Sequence, residues 1–96
     1  MYRSESIINS LLIEVDSLSR RLSNIQQAYR NTENLNLRER LINEDIIIFD
    51  RLNEIFEIAN ILKKRNNQNI SLSSLLLEKS KRTIAQRGIQ KNLFFL

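Results

Sequence analysis

Five basic side chains in the last third of the chain have the types and spacing to bind an anion: Lys79, Lys81, Arg82, Arg87 and Lys91. Residues 63–96 carry eight Lys and Arg against one acid, whereas residues 1–62 carry seven Arg against ten acids, so the net charge of +4 arises from the last third alone. Clustered cations neutralise phosphates and release counterions, which gives salt-sensitive binding to nucleic acid. Lipid, an acidic protein or plain solvation of a helix face are the other interpretations, and we favour solvation.

The sequence contains few of the residue types that catalysis or metal binding require. The chain has no His and no Cys, which removes the commonest general base, the commonest metal ligand and every thiolate. The acids between Glu39 and Glu57 contain spacings that pair two carboxylates, but the Glu-x-x-His motif of di-iron bundles is missing. We therefore interpret these acids as a solvated helix face, and we predict no catalytic residue, no metal site, no cofactor and no enzyme activity.

Asp45 is the one carboxylate that interrupts an apolar stripe, because it falls between Leu41, Ile48 and Leu52 at helical spacing. An ionised carboxylate in a core needs a partner or a proton. Asp45 is thus a candidate specificity residue that fixes the register of neighbouring helices, as polar positions do in coiled coils. The alternative, which we favour, is that it lies near an opening in the core and is solvated.

The elements that would position these residues are helices. An unbroken 3-4-3-4 spacing of apolar residues, which we call the first seam, runs along the first third of the chain: Ile8, Leu11, Val15, Leu18, Leu22, Ile25 and Tyr29. This spacing averages 3.5 residues, the period at which a helix keeps one side turned towards a partner helix. Ser4 is a suitable N-cap, so we predict a helix over about residues 4–31.

A second helix is predicted over about residues 37–65. The polar stretch before it favours a turn, and Asn36 followed by Glu39 resembles a capping box. The packing face of this helix, the second seam, also lies at helical spacing: Leu41, Ile48, Phe49, Leu52, Ile55, Phe56 and Leu62. Ile47, Ile58 and Ile61 form a thinner apolar line on the opposite side and, with Ile13, suggest that the hairpin has a second surface to bury.

The last third is less regular. A polar linker at 66–70 precedes a predicted helix over about 71–87, whose packing face begins with Leu72, Leu75 and Leu76 and then loses coherence. Gly88 suits the position just past a helix end. The apolar tail 89–96 is predicted to fold over the hairpin; contact with a neighbouring subunit or a membrane surface is the alternative.

The fold class that follows is all-α. Pro is absent and Gly88 is the only glycine, which disfavours the tight turns that sheets require. We predict one domain over residues 1–96: an antiparallel hairpin of two long helices plus a shorter C-terminal helix, arranged as a three-helix bundle or as a dimeric four-helix bundle. The dimer is favoured. No apolar run approaches the length of a membrane span, and we expect a cytoplasmic protein.

A chain of this kind is predicted to bind helices. The leading hypothesis is a non-catalytic protein–protein interaction module, such as an adaptor, assembly factor or small regulator, whose partner is a helical protein and which forms a homodimer or higher homo-oligomer. The alternative is a small nucleic-acid-binding regulator that uses the basic last third. A small enzyme is third and would require a concave pocket with convergent polar groups.

Overall fold

The computed structural model describes residues 2–65 and 70–86. Over these ranges the chain forms three α-helices and no strand: α1 (Tyr2–Asn31), α2 (Leu35–Arg65) and α3 (Ile70–Ala85). Each helix packs against the other two, so the all-α prediction is confirmed and the chain is a three-helix bundle. The helices begin and end within two residues of the predicted bounds, whereas the apolar tail 89–96 lies outside the described residues.

The turn between α1 and α2 is closed by Asn34. Its side-chain Oδ1 accepts a hydrogen bond from the backbone N–H of Leu37 at 3.1 Å, and its carbonyl accepts the N–H of Arg38 at 3.0 Å. Asn34 is therefore the N-cap of α2. The prediction that Asn36 caps this helix is wrong, because Asn34 satisfies the first free amides and places Asn36 inside the first turn.

A second set of contacts fixes the same turn. The guanidinium of Arg38 lies 5.1 Å from the centre of the Tyr29 ring, and its Nε donates to the carbonyl of Thr32 at 2.9 Å. Cation–π contact and hydrogen bond thus join the last turn of α1 to the first turn of α2. This is the role of Tyr29, the last position of the first seam, which is only partly buried.

The core lies between the three helices and is built from the two predicted seams. Its buried apolar side chains are Ile8, Leu11, Val15, Leu18, Leu22, Ile25, Leu41, Ile48, Leu52, Ile55, Ala59 and Leu76. The aromatic side chains of the second seam, Phe49 and Phe56, are partly buried, as is Leu62. Both seams are therefore covered by their own chain, each by the other helix of the hairpin and by α3.

The inner face of α3 differs from the predicted one. Ser73, Leu76, Ser80 and Thr83 are buried, whereas Leu75, which the sequence placed on the packing face, is 46% exposed. The hydroxyl of Ser80 donates to the carbonyls of Leu76 and Leu77 at 2.9 and 3.0 Å, one turn back in the same helix. Thr83 does the same towards Lys79 at 2.9 Å. Because these hydroxyls find acceptors within α3, small polar residues can occupy the core side and let α3 approach closely.

The bundle is elongated, with principal dimensions of 50 × 22 × 15 Å. Among the described residues, none of the helices combines the length and the apolar character that a membrane crossing demands.

Candidate functional site

The residues predicted to form a helix-binding seam do not form an open surface. Six of the seven first-seam side chains are at most 7% exposed, and in the second seam Leu41, Ile48, Leu52 and Ile55 are equally buried. Since packing within the chain already covers these side chains, a partner would have to contact a different surface. The candidate surface must be sought among the apolar residues that the bundle leaves outside.

An ion pair between α1 and α2 marks one side of the hairpin. The guanidinium of Arg51 donates from Nε and Nη2 to the two carboxylate oxygens of Glu14, at 2.5 and 2.9 Å, and Nη1 lies 3.4 Å from Glu54. This two-point geometry is the strongest form of carboxylate–guanidinium contact. The hydrogen bond from Arg51 holds the pKa of the Glu14 carboxyl below its ordinary value of 4.5, and the same bond raises the pKa of Arg51.

Neither Glu14 nor Arg51 stands out in the sequence. The signal was present, because residues 31–36 were predicted to form the turn and an antiparallel pairing about its centre brings position 14 close to position 51. Spacing within one helix could not show it, since the two residues lie 37 positions apart.

The Glu14–Arg51 pair lies on the flank of the hairpin away from α3. On α1, Asp16 binds Lys79 of α3 at 3.0 Å, and Glu14 lies about 200° around the helix from Asp16. Arg51 must share the flank of Glu14, because it binds both of its oxygens. The hairpin therefore has one side covered by α3 and one side open.

Four isoleucines share this open side, which we call the outer face. On α2, Ile47 lies one turn before Arg51, and Ile58 and Ile61 lie two and about three turns after it; on α1, Ile7 lies two turns before Glu14. Ile47 is 66% exposed, Ile7 and Ile61 are each 49% exposed, and Ile58 is half-buried. The predicted apolar line of Ile47, Ile58 and Ile61 is thus at least partly exposed. The charges of Glu14 and Arg51 beside it cancel each other.

Replacing Glu14 with Gln should lower the free energy of unfolding by about 0.5–1 kcal/mol at neutral pH, a small effect because both side chains are about one-third exposed. The lowered pKa of Glu14 means that this contribution is complete above the ordinary pKa of 4.5 and is lost as the pH falls through the lowered value. Urea unfolding at pH 7 and at about pH 3 should therefore show a smaller acid-induced loss in Glu14→Gln than in the parent.

Glu54→Gln is the matched control for this change. Glu54 contacts Arg51 through one longer bond and is 65% exposed, so its replacement should alter the free energy of unfolding by only a few tenths of a kcal/mol. Equal losses in the two variants at neutral pH would contradict the assigned role of Glu14.

Asp45, the candidate specificity residue, is fully buried in the core side of α2. The interpretation that it lies at an opening and is solvated is wrong, because the closely packed third helix helps to enclose the core that Leu41 and Ile48 line. A side chain in this position cannot touch a partner that binds the outside of the bundle. A role in fixing the helices of its own chain stays a prediction.

Of the predicted anion-binding residues, the three that the structure describes, Lys79, Lys81 and Arg82, point in different directions from α3. Lys79 faces α1 and binds both carboxylate oxygens of Asp16, at 3.0 and 3.2 Å. Arg82 is exposed and lies 3.6 Å from Glu78. Lys81 lies about 200° around α3 from Lys79, on the side towards α2. Two of the predicted five, Arg87 and Lys91, lie outside the described residues.

A shallow pocket between the end of α2 and α3 has a volume of about 270 Å³ and is lined by Lys63, Ser74, Leu77, Glu78 and Lys81. It brings two cations from different helices to one opening. Within residues 2–65 and 70–86, acidic side chains do not gather in groups of three or more that could hold a metal ion.

Comparison with known proteins gives no further assignment. No family model, no curated protein and no solved structure matches this chain.

Proposed function

We propose that the protein is a non-catalytic interaction module that binds through helix-to-helix contact, and that its first partner is a second copy of itself. The outer face supports this proposal. It presents Ile7, Ile47 and Ile61 to solvent, with the half-buried Ile58 on the same side, although most of both seams is already covered. A row of large aliphatic side chains on the outside of a small protein is a favourable contact surface, because burying it removes apolar area from water.

The size of the outer face suits a stable dimer. The hairpin is about 45 Å long at 1.5 Å per residue, and two packed helices are about 20 Å wide, which gives roughly 900 Å². A stable interface buries about 800 Å² on each partner. The face is therefore large enough, provided that most of its length is used.

The charges of the outer face favour a self-complementary contact. Glu14 and Arg51 are of opposite sign and lie together near the middle of the hairpin, so the centre of the face has no net charge. A twofold axis through this centre would bring the Glu14 of one copy towards the Arg51 of the other. Two such hairpins form a four-helix layer, with α3 of each copy on the outside.

Ile47→Glu should weaken this dimer more than tenfold, because the substitution replaces the most exposed isoleucine of the outer face with a carboxylate that the contact would have to bury. Sedimentation equilibrium at micromolar concentration measures the effect. The parent chain should have a mass of 22.8 kDa, twice the 11.4 kDa of one copy, and Ile47→Glu should approach 11.4 kDa.

Leu75→Glu is the control, since Leu75 is also exposed but lies on α3, away from the outer face. This variant should remain dimeric. A parent chain that sediments at 11.4 kDa over the same range would overturn the proposed self-association. Equal weakening by both variants would show that the outer face is not the contact.

Nucleic-acid binding is a second candidate, supported by one observation. Lys63 and Lys81 line the same pocket, and Lys64 and Arg65 are exposed next to it at the end of α2. Binding there should be weak and should fall steeply as salt rises from about 50 to 200 mM, because it depends on released counterions.

Fluorescence anisotropy with a labelled duplex and a labelled single strand tests this candidate. Lys63→Gln/Lys81→Gln should remove most of the binding, whereas Lys79→Gln should have less effect, because Lys79 is paired with Asp16 on the opposite side of α3. Binding that is unaffected by salt would rule out the phosphate contact.

A further inference from the structure

The Glu14–Arg51 pair fixes which residues of α1 and α2 lie side by side on the outer face. Because the two helices are antiparallel, the position seven residues before Glu14 lies at the same level of the hairpin as the position seven residues after Arg51. These positions are Ile7 and Ile58. The outer face therefore has two neighbouring isoleucines about 10 Å from its charged centre, on the side away from the turn at 32–34.

Two charged residues lie at the equivalent distance on the other side of the centre. Arg21 follows Glu14 by seven residues, Glu44 precedes Arg51 by seven, and both side chains are exposed. Residues seven apart lie on one side of a helix, so Arg21 and Glu44 also belong to the outer face. The half of the face near the turn thus carries charges at the positions where the other half carries isoleucines.

A second copy can cover the outer face by rotation about either of two axes in the plane of contact. A lengthwise axis, parallel to the helices, lays α1 of one copy on α2 of the other and keeps every residue at its own level. A crosswise axis, perpendicular to the helices, lays α1 on α1 and α2 on α2 and exchanges the two ends. The turns of the two copies lie at the same end in the first arrangement and at opposite ends in the second.

The two axes bring different charges together at the centre. About the lengthwise axis, the Glu14 of each copy faces the Arg51 of the other, so the charges alternate in sign. About the crosswise axis, Glu14 faces Glu14 and Arg51 faces Arg51, and like charges in contact oppose binding. A carboxylate can accept more than the two bonds that Glu14 receives within its chain, so the pair can contact a second copy without breaking.

The apolar residues favour the same axis. About the lengthwise axis, the Ile7 of each copy lies on the Ile58 of the other, because the two positions are at one level. The crosswise axis would instead set Ile7 against Arg21 and Ile58 against Glu44. Burying a charged group against an aliphatic side chain removes it from water without supplying a partner, which disfavours the crosswise contact.

We infer that two copies pair about the lengthwise axis and that Glu14 and Arg51 select a second copy in this orientation. The inference rests on the proposed self-association through the outer face and adds the direction and the selectivity of the contact. It places both turns at one end of the dimer and the basic last turns of both α2 helices, Lys63 to Arg65, at the other. The two α2 helices are diagonal neighbours more than about 10 Å apart, so salt at physiological strength screens this repulsion.

A spin label close to the turn measures the orientation, and the absence of Cys allows a single introduced thiol to be labelled selectively. Asn36→Cys is suitable because Asn36 is exposed in the first turn of α2. Pulsed electron paramagnetic resonance should give a distance of about 20–30 Å between the two nitroxides, set by the width of four packed helices. The crosswise axis predicts about 45 Å, because it places the labels at opposite ends of the hairpins.

Two variants show whether this distance comes from the outer-face dimer. In the labelled Asn36→Cys chain, Ile47→Glu should remove the dipolar signal, whereas Leu75→Glu on α3 should leave it unchanged. A distance of about 45 Å that depends on Ile47 would overturn the orientation and leave the self-association intact. A labelled parent chain that sediments at 11.4 kDa would overturn both.

A charge exchange tests the selectivity. Glu14→Arg gives the centre of the face two positive charges, and Arg51→Glu gives it two negative charges. Each variant alone should dimerise at least about tenfold more weakly than the parent, because like charges meet across the contact. An equimolar mixture should recover the parent affinity by forming a heterodimer, in which opposite charges face each other. Sedimentation equilibrium of each variant and of the mixture measures this recovery.

Glu78→Arg is the control for the charge exchange. It makes the same change at an exposed position of α3, away from the outer face, and should dimerise as the parent does. Recovery in the mixture also shows that both exchanged chains keep a folded hairpin, so weak dimerisation of each alone is not the result of unfolding. If either exchanged chain dimerised alone as tightly as the parent, or if the mixture showed no recovery, Glu14 and Arg51 would not select the partner.

Discussion

Ile48→Ala should lower the free energy of unfolding by about 2–5 kcal/mol, which is among the largest effects that we expect from a single aliphatic substitution in this protein. Ile48 is 1% exposed and lies in the middle of α2, where it contributes to the core between all three helices. Removing three carbons loses their transfer free energy and leaves a cavity that rigid helices cannot close. Urea unfolding followed by far-ultraviolet circular dichroism at neutral pH measures the change.

The adjacent residue provides a closely matched control. Ile47 has the same side chain and the same helical backbone but is 66% exposed. Ile47→Ala should change the stability of the monomer by no more than about 0.5 kcal/mol, measured at a concentration below that of dimer formation. Similar losses in the two variants would show that the register assigned to α2 is wrong, because one residue shifts a helical position by 100°.

The register of the two long helices was predictable from the sequence because their apolar residues are large, numerous and regularly spaced. Seven positions in the first seam repeat without a break, so an error in one of them would not have changed the orientation of the helix. Pairing of the two seams then followed from the short polar connection between them. The structure confirms this hairpin and shows that the seams cover each other.

The position of α3 was harder to predict for a physical reason. Hydropathy treats a serine as a surface residue, yet Ser73 and Ser80 are fully buried and Leu75 is exposed. The hydroxyl of Ser80 is satisfied by carbonyls of its own helix, so burial costs little, and its small size permits close approach. Neither property is visible until the two facing helices are in place.

The N-cap of α2 and the burial of Asp45 could not be predicted from the sequence, because both depend on how the helices are arranged around them. Asn34 and Asn36 are chemically equivalent caps, and only the geometry of the turn, where Thr32 accepts the N–H of Asn34 at 3.2 Å, decides between them. The sequence favours a solvated Asp45, because isolated polar residues often interrupt the apolar stripes of natural helices. The third helix removes that opening, since it packs on both members of the hairpin.

The sequence predicts either a three-helix bundle or a dimeric four-helix bundle. The two differ in what covers the side of the hairpin that the α1–α2 contact leaves open: α3 in the first case and a second copy in the other. α3 covers one side and supplies the three-helix bundle of each chain. The outer face is the other side and retains exposed isoleucines. The two architectures are therefore compatible. The four central helices of the proposed dimer would come from two hairpins, and the α3 of each chain would cover the other side of its own hairpin.

The second large effect is expected from Ser80→Leu, and its sign opposes the one that hydropathy predicts. Ser80 is fully buried on the inner face of α3, next to Leu76. A leucine there would raise the apolar content of the core but has no space for three more carbons at a close helix contact. Overpacking should push α3 away from the hairpin and lower the free energy of unfolding by about 1–3 kcal/mol.

Two further variants distinguish overpacking from loss of the hydroxyl. Ser80→Ala removes the hydrogen bonds to Leu76 and Leu77 but adds no volume, and the carbonyls concerned belong to the same helix. We expect a change within about 1 kcal/mol, because the lost bonds are offset by the higher helix propensity of alanine. Ser23→Leu, the same substitution at an exposed position of α1, should change stability by no more than about 0.5 kcal/mol. If Ser80→Leu were as stable as the parent chain, α3 could not pack as closely as its buried serines indicate, and the third layer of the bundle would be loose.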